Sequence, residues 1–459
     1  MKRFISLLVV LSLVLSLSAC SGFSLPGSSS KKATSGMLRT PDQPSTPDIP
    51  DYQSFYSEIS GQFKTEAWEK ASKAYSEYLI AVTAASDAYD SSALSPFYRR
   101  IMPFLLPSDQ GNSVCSPLNV YLALAMLAEI TGGCSRSQIL AAMDAEDPDA
   151  LARQVENIWI ANYRNADSAK CLLSSSVWLK DGLSFNQNTL DRLSAVHRAS
   201  AYSGTPGTEQ MDRALRRWMN DATGDLLKDQ IDTITFHKEL ISALVTAVYY
   251  KAPWEEGFSR EVSYQGRFIS SSGKTVTADY MFESRPGSIY AGSGFSAASK
   301  TLLDGSTMWF LLPGEGLSPA DLLRDGAVTD LLYGSVSSDR YIVRLSVPRF
   351  DVSAQTDLLP VLTSLGITDV MDPSLSDFSP LIDGSREIAL SSADHGARLL
   401  LNEDGIEAAA YTIIVADGGS ALIDPLEEYD FILDRPFVFA LTSQAGDLLF
   451  VGTVADPTA

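Results

Sequence analysis

An α+β fold is predicted by three features of the chain. Helical periodicity is strongest toward the N-terminus, short strand-like apolar runs gather in the C-terminal half, and the two never alternate with the regular period that builds a parallel βαβ sheet. The composition supports a sizeable core. Of 459 residues, 45% are hydrophobic and 20% charged, with 30 Gly and 22 Pro, which excludes a disordered chain, a coiled coil or a collagen-like repeat. Length alone allows about three domains or one large one, and no internal repeat is visible. The net charge of −21, from 35 Lys and Arg against 56 Asp and Glu, repels phosphate backbones and argues against nucleic-acid binding.

Taken in order, the chain opens with Lys2 and Arg3, an apolar stretch from Phe4 to Leu17, and the small-residue close Leu17-Ser18-Ala19-Cys20. The stretch is too short to span a bilayer. It resembles a bacterial lipoprotein leader, residues 1–19, removed so that a lipidated Cys20 becomes the new N-terminus. An ordinary export leader cut after Ala19, with Cys20 a spectator, is the alternative, and either way the body is exported to an extracytoplasmic or cell-surface location. Residues 20–62, rich in Ser, Pro, Gly and Thr, read as a flexible tether. From Phe63 to Tyr89 the residues Trp68, Ala71, Tyr75, Tyr78, Leu79 and Val82 recur at helical steps, so residues 63–93 form an extra helical segment before the main domain. Ser95-Pro96 has the form of an N-cap with Pro at the first helical position. Thr307 to Leu312 and Tyr341 to Val347 read as strands.

Enzyme signatures are missing. No G-x-S-x-G, Walker A, H-E-x-x-H or dinucleotide-binding glycine pattern occurs, and the three histidines are His197, His237 and His395. His197 and His237 sit among polar residues that suit a solvated surface. Cys115, Cys134 and Cys171 form no C-x-x-C pair and read as buried small hydrophobes. No enzyme activity, cofactor or metal is expected.

One segment stands out. Asn402-Glu403-Asp404-Gly405-Ile406-Glu407-Ala408-Ala409-Ala410-Tyr411-Thr412 joins an acidic turn to a run of small residues. Read as a strand, positions 406, 408, 410, 412 and 414 share one face that carries no charge. A small-residue linker or a short helix is the plain alternative, since Glu-Ala-Ala-Ala favours helix.

At this segment the chain resembles the reactive-loop hinge of inhibitory serpins, the family of suicide protease inhibitors. Other landmarks follow in the family's order: Cys115-Ser116-Pro117-Leu118-Asn119-Val120, Trp218 with Thr223-Gly224, Leu244 to Lys251 with Trp254, Met308 to Pro313, Val347-Pro348-Arg349-Phe350, Leu365-Gly366-Ile367, Arg435-Pro436-Phe437 and Leu449 to Val454. The resemblance covers residues 94–459. It implies one domain with three β-sheets, named A, B and C in the family, eight to nine helices, and an exposed reactive loop that inserts into sheet A after cleavage while the protease stays acylated.

Carried over residue by residue, the hinge is Glu403, Gly405, Ile406, Glu407, Ala408, Ala409, Ala410 and Thr412. Ser116, Asn119, Thr246 and His395 form the shutter beneath the opening strands, and Trp254 marks the breach at their top. The sequence departs from the family at Ile406, Tyr411 and Thr246. Counting fourteen residues on from Gly405 places the reactive bond at Gly419–Ser420, with Ala421 and Leu422 as alternatives; counting back from Pro436 gives Pro425 instead. The stretch from Asp417 to Ile423 holds no Lys or Arg, which suits elastase-like or subtilisin-like targets. The resemblance thus implies a monomer whose partner is a target serine protease, held as a covalent complex, and whose Cys20 lipid meets a membrane. A non-inhibitory binding or adhesion protein on the same scaffold is the second reading, and an unrecognised exported hydrolase the third.

Overall fold

The computed structural model of the full chain describes residues 13–19, 36–44, 56–57, 62–63, 65–106, 111–225, 231–232, 234–382, 388–406 and 426–459. In chain order the elements begin with β1 (Leu13–Ala19), β2 (Gly36–Arg39), β3 (Tyr56–Ser57), β4 (Gln62–Phe63), α1 (Thr65–Ala88), α2 (Ser95–Leu105) and β5 (Ser113–Cys115). Next come α3 (Pro117–Ile130), α4 (Gly133–Ala142), α5 (Pro148–Asn162), β6 (Arg164–Asn165), β7 (Lys170–Lys180), α6 (Gln187–Ala195), β8 (Ala199–Gly204), α7 (Glu209–Thr223) and β9 (Leu240–Pro253). The C-terminal half is strand-rich, as expected: β10 (Tyr264–Ile269), β11 (Thr275–Gly292), β12 (Phe295–Thr301), β13 (Thr307–Pro313), α8 (Pro319–Asp325), α9 (Ala327–Tyr333), β14 (Ser337–Pro348), β15 (Phe350–Asp357), α10 (Leu359–Ser364), β16 (Ile388–Asn402), β17 (Gly405–Ile406), β18 (Glu428–Ile432), β19 (Phe437–Thr442) and β20 (Leu448–Val454). The fold is α+β, with ten α-helices among the described residues.

Two nine-stranded sheets carry it. The first runs β1-β16-β17-β9-β7-β8-β2, with β15 on the outer side of β16 and β6 beside β7. The second runs β18-β14-β11-β12-β13-β19-β20-β5 with β10 on β11. Two of the three sheets expected are thus continuous, because β11 reaches past one sheet into the next, pairing β10 and β14 along most of its length and β12 at its end. Strand β16 never pairs with β9 directly: β1 lies between them at one end and β17 at the other, each antiparallel to both. Residues 13–19 of the apolar N-terminal stretch therefore take a strand position in the first sheet.

Helix α3 lies against the first sheet and is buried along almost its whole length. Ser116 fixes its start: the hydroxyl oxygen accepts the Asn119 backbone N–H at 3.2 Å, and Pro117 occupies the first helical position, where a missing N–H costs nothing.

Four expectations need correcting. Ser95 does not cap α2. A 3-10 turn over Ser91–Leu94 is already capped by Asp90, whose carboxylate accepts the Ser92 N–H at 2.9 Å, and it runs straight into the helix, leaving Ser95 helical. The tether is not featureless: Gly36–Arg39 adds an edge strand to β8, because an open edge offers unpaired N–H and C=O groups. Arg39 secures it, donating to Asp191 and Gln187 at 3.0 Å each, while Arg198 donates to the Asp42 carbonyl at 2.8 Å. His197 is buried, its Nε2 3.8 Å from the Glu129 carboxylate, which burial would raise but which the neighbouring His197 and the hydrogen-bonded Arg192 hold down at about 2. Cys134, near the start of α4, is exposed; Cys115 and Cys171 are buried as expected, and burial pushes both thiols up.

A buried acid ties the N-terminal segment to the far end of the chain. Tyr89 donates its hydroxyl to Asp447 at 2.7 Å, and the Asn162 amide donates to the other carboxylate oxygen at 2.6 Å. Burial raises the Asp447 carboxyl to about 6, outweighing these two neutral donors.

Candidate functional site

The acidic turn ends β16 and returns the chain into the first sheet. Asn402 shapes it: its side-chain oxygen accepts the N–H of Asp404 at 2.9 Å and of Gly405 at 3.2 Å. Gly405 then pairs with Asn402 and Pro253, and Ile406 with Leu401 and Ala252, so these two residues form a short strand wedged between β16 and β9. Only glycine fits at 405. Its φ is +146°, and a Cβ there would stand 2.3 Å from the Ala252 carbonyl oxygen. Ile406 is buried, consistent with an apolar β-branched residue on the inner face of a sheet.

Around this wedge the turn is held on every side. Trp254 donates its indole N–H to the Asn402 carbonyl at 2.9 Å and its backbone N–H to the Asp404 carbonyl at 3.1 Å. Arg349 pairs with the buried Glu403 carboxylate, which Ser263 also approaches at 3.2 Å, and Arg260 reaches Asp404 at 2.6 Å. Burial would raise the Glu403 carboxyl, but the Arg349 guanidinium outweighs it and holds it below the ordinary carboxylate range. Beneath lies a buried cation. Lys300 pairs with Glu283, and its ammonium stands 4.4 Å from the Phe258 ring centroid and 5.5 Å from that of Trp254. Trp254 thus sits against the acidic turn, just past the C-terminal end of β9.

Below the wedge the two strands stay apart. A narrow cavity of about 10 Å³ is bordered by Val248, Tyr249, Tyr250, Arg398, Leu399 and Ile406. Farther down, His395 Nε2 accepts the Ser116 backbone N–H at 3.0 Å, and Asn119 leans toward the Thr246 carbonyl at 3.5 Å. Burial drives the His395 pKa down to about 4, so the ring is neutral at pH 7. Ser116, Asn119, Thr246 and His395, the four residues expected to form the shutter, are therefore brought together. His395 Nδ1, Asn119 Oδ1 and Thr246 Oγ1 have no partner among the described residues, which marks the cluster as one whose contacts are incomplete in this arrangement. A side-chain set of this kind, meeting where α3, β9 and β16 converge, can hold the two strands together.

Glu407, Ala408, Ala409, Ala410 and Thr412 of the hinge, the reactive bond at Gly419–Ser420, its alternatives Ala421 and Leu422, and Cys20 lie outside the described residues. The partners Arg349, Arg260, Ser263 and Lys300 were not assigned from sequence. Arg349 lies within the quoted Val347-Pro348-Arg349-Phe350, and that placement was the one signal available.

Comparison with known proteins agrees with this geometry. The profile of the family described as serpin (serine protease inhibitor) matches residues 95–457. Among curated proteins, Serpin-Z2A of Triticum aestivum is 28% identical over 371 residues, covering 76% of this chain and 92% of its own, and Serpin-ZX of Arabidopsis thaliana is 24% identical over 365 residues, covering 76% and 93%. Among solved structures, the thermophilic serpin tengpin in its native state superposes with a TM-score of 0.69 at 22% identity over 79% of this chain and 94% of that one. An Arabidopsis serpin in its native stressed conformation gives 0.69 at 23% identity, covering 81% and 100%.

Proposed function

The chain belongs to the serpin family, and from that premise we propose that it is a suicide inhibitor of a serine-type endopeptidase, exported and held at a membrane through lipid on Cys20. The observation that carries the reading is the seating of Gly405 and Ile406 between β16 and β9. Residues 405 and 406 already lie in the sheet, and continuing their alternation through Glu407 to Thr412 would bring no charge to the inner face, since Ala408, Ala410 and Thr412 would fall there.

The register says where an inserted loop would go. Stepping on from Ile406 against Leu401 and Ala252, Ile413 falls opposite Asp394 and Val245. Those two residues are the partners of Val14 in β1, so leader and loop use the same rung and removal of residues 1–19 clears it. Once the protease has cut the loop and its serine is esterified by the P1 carbonyl, insertion carries the acyl-enzyme away before water completes hydrolysis; the inhibitor contributes no catalytic group. The favoured bond is Gly419–Ser420, in a stretch of small and aliphatic residues that suits the shallow apolar pockets of elastase-like or subtilisin-like enzymes and offers no cation to a trypsin-like one.

Incubation with elastase-, trypsin-, chymotrypsin- and subtilisin-like proteases tests this. An SDS-resistant complex with one of the small-pocket enzymes is expected, releasing a C-terminal peptide that begins between Gly418 and Asp424. Ala408→Arg should convert the inhibitor into a substrate while leaving the fold intact. A panel that only cleaves or ignores the loop would overturn the inhibitory reading and leave a binding protein. Cys20→Ser should release the chain from the membrane fraction; retention there would refute the anchor.

A further inference from the structure

The two ends of the proposed mechanism, anchor and reactive loop, meet the first sheet at opposite poles. The loop enters at Gly405 and Ile406, beside Ala252 and Pro253 at the C-terminal end of β9. The anchor-bearing segment enters through β2, where Gly36 pairs with Ser203; Ser203 pairs with Leu179, and Leu179 with Ser242 near the start of β9. Gly36 therefore lies close to the pole opposite the loop, and β2, antiparallel to β8, directs the preceding chain out past that pole.

Resting on the inhibitory and anchored readings, we propose that loop insertion delivers the trapped protease to the membrane-facing pole of the inhibitor and presses it against the bilayer. Full insertion in the observed register sets Gly419 opposite Ile388, the first residue of β16, and opposite Glu239, one residue before β9 begins. Along the strands that is about three residues, or roughly 10 Å, from the rung of Gly36; across the sheet it is four strand spacings, about 19 Å. A protease domain of about 230 residues has a radius of gyration of roughly 17 Å, hence a diameter of about 45 Å. A body of that size bonded there is wide enough to reach the point where the tether leaves.

The tether is short for such a load. Fifteen residues lie between Cys20 and Gly36, a span of at most roughly 55 Å even fully extended. Docking by Arg39 on Asp191 and Gln187 is what keeps it short. Before insertion the protease sits at the far pole, a strand length of about 45 Å from the bilayer side; afterwards it lies between the inhibitor and the lipid.

Lipidated full-length protein on phosphatidylcholine vesicles carrying an acceptor dye on the headgroups, challenged with donor-labelled protease, reads this directly. Active protease should give energy transfer that rises severalfold in step with the SDS-resistant complex. A protease whose serine is replaced by alanine docks without acylation and should give little. Arg39→Glu, which frees β2 and lengthens the tether, should lower the final transfer without reducing complex formation. Stable complexes on vesicles with transfer no higher than that of the serine-to-alanine protease would overturn the proposal. Absence of any SDS-resistant complex would instead count against inhibition, and failure to sediment with vesicles against the anchor, so the three failures are distinguishable.

Discussion

Acidification should expose two buried groups that pull stability in opposite directions. In the unfolded chain the His395 imidazole takes up its proton near 6.5, but the buried ring does so only at about 4. Between those values the unfolded state holds more protons, so lowering the pH erodes native stability, by about 3 kcal/mol in all at about 1.4 kcal/mol per pH unit. Asp447 behaves in the reverse sense. Its buried carboxyl takes a proton at about 6 against 3.8 for the exposed group, so the native state holds more protons in that window and acidification stabilises it, again by about 3 kcal/mol. The windows overlap almost completely, and the wild type conceals both effects. Removing either group unmasks the other. Relative to wild type, the penalty of His395→Gln should shrink by about 3 kcal/mol between pH 7 and pH 4, whereas that of Asp447→Asn should grow by a similar amount. The pH-independent part of each penalty, including the amide donor that the Asp447→Asn substitution would point at Asn162, cancels in the comparison of slopes. Urea unfolding followed by tryptophan fluorescence at half-unit pH steps gives these differences from the first transition. Penalties that stay parallel to wild type across that range would refute the assignment of a neutral, desolvated His395 and a desolvated Asp447.

Three further outcomes are expected. Gly405→Ala drives a Cβ into the Ala252 carbonyl, so the hinge should lift out and uncover Ile406, lowering stability by about 2 kcal/mol and speeding amide exchange at Ile406. Arg349→Ala leaves the Glu403 carboxylate buried without its guanidinium partner, and should cost about 3 kcal/mol by urea unfolding; Glu403→Gln, which removes the charge too, should cost less. With Cys20 replaced by Ser, a thiol reagent should label Cys134 in the native protein and reach Cys115 and Cys171 only after unfolding, since only Cys134 is exposed.

The turn at Gly405 was readable because its requirement is local: a glycine where a Cβ would meet the Ala252 carbonyl. The meeting of Ser116, Asn119, Thr246 and His395 was readable through the order and spacing of the landmarks, although Ser116, Thr246 and His395 come from three distant parts of the chain. The pairing of Arg349 with Glu403 was not, because it depends on how β15 and β16 align, with Phe350 opposite Leu401, and register between strands leaves little trace in sequence. His197 misled for a related reason: the acid that keeps it company, Glu129, comes from α3, not from the polar residues around it. Nothing in Gly36-Met37-Leu38-Arg39 distinguishes a docked edge strand from linker until the exposed edge of β8 and the Asp191 carboxylate are in view.

The bond between Tyr89 and Asp447 also decides where this protein can be shortened. The family match begins at residue 95, and a recombinant fragment cut there would look complete by homology. It would lack the phenol that caps one oxygen of an acid in the turn between β19 and β20, leaving Asn162 alone to satisfy it. The working edge of the folded unit therefore lies ahead of Tyr89, and shortened versions meant for crystallisation or kinetics should keep it together with the Asp90-capped turn that follows.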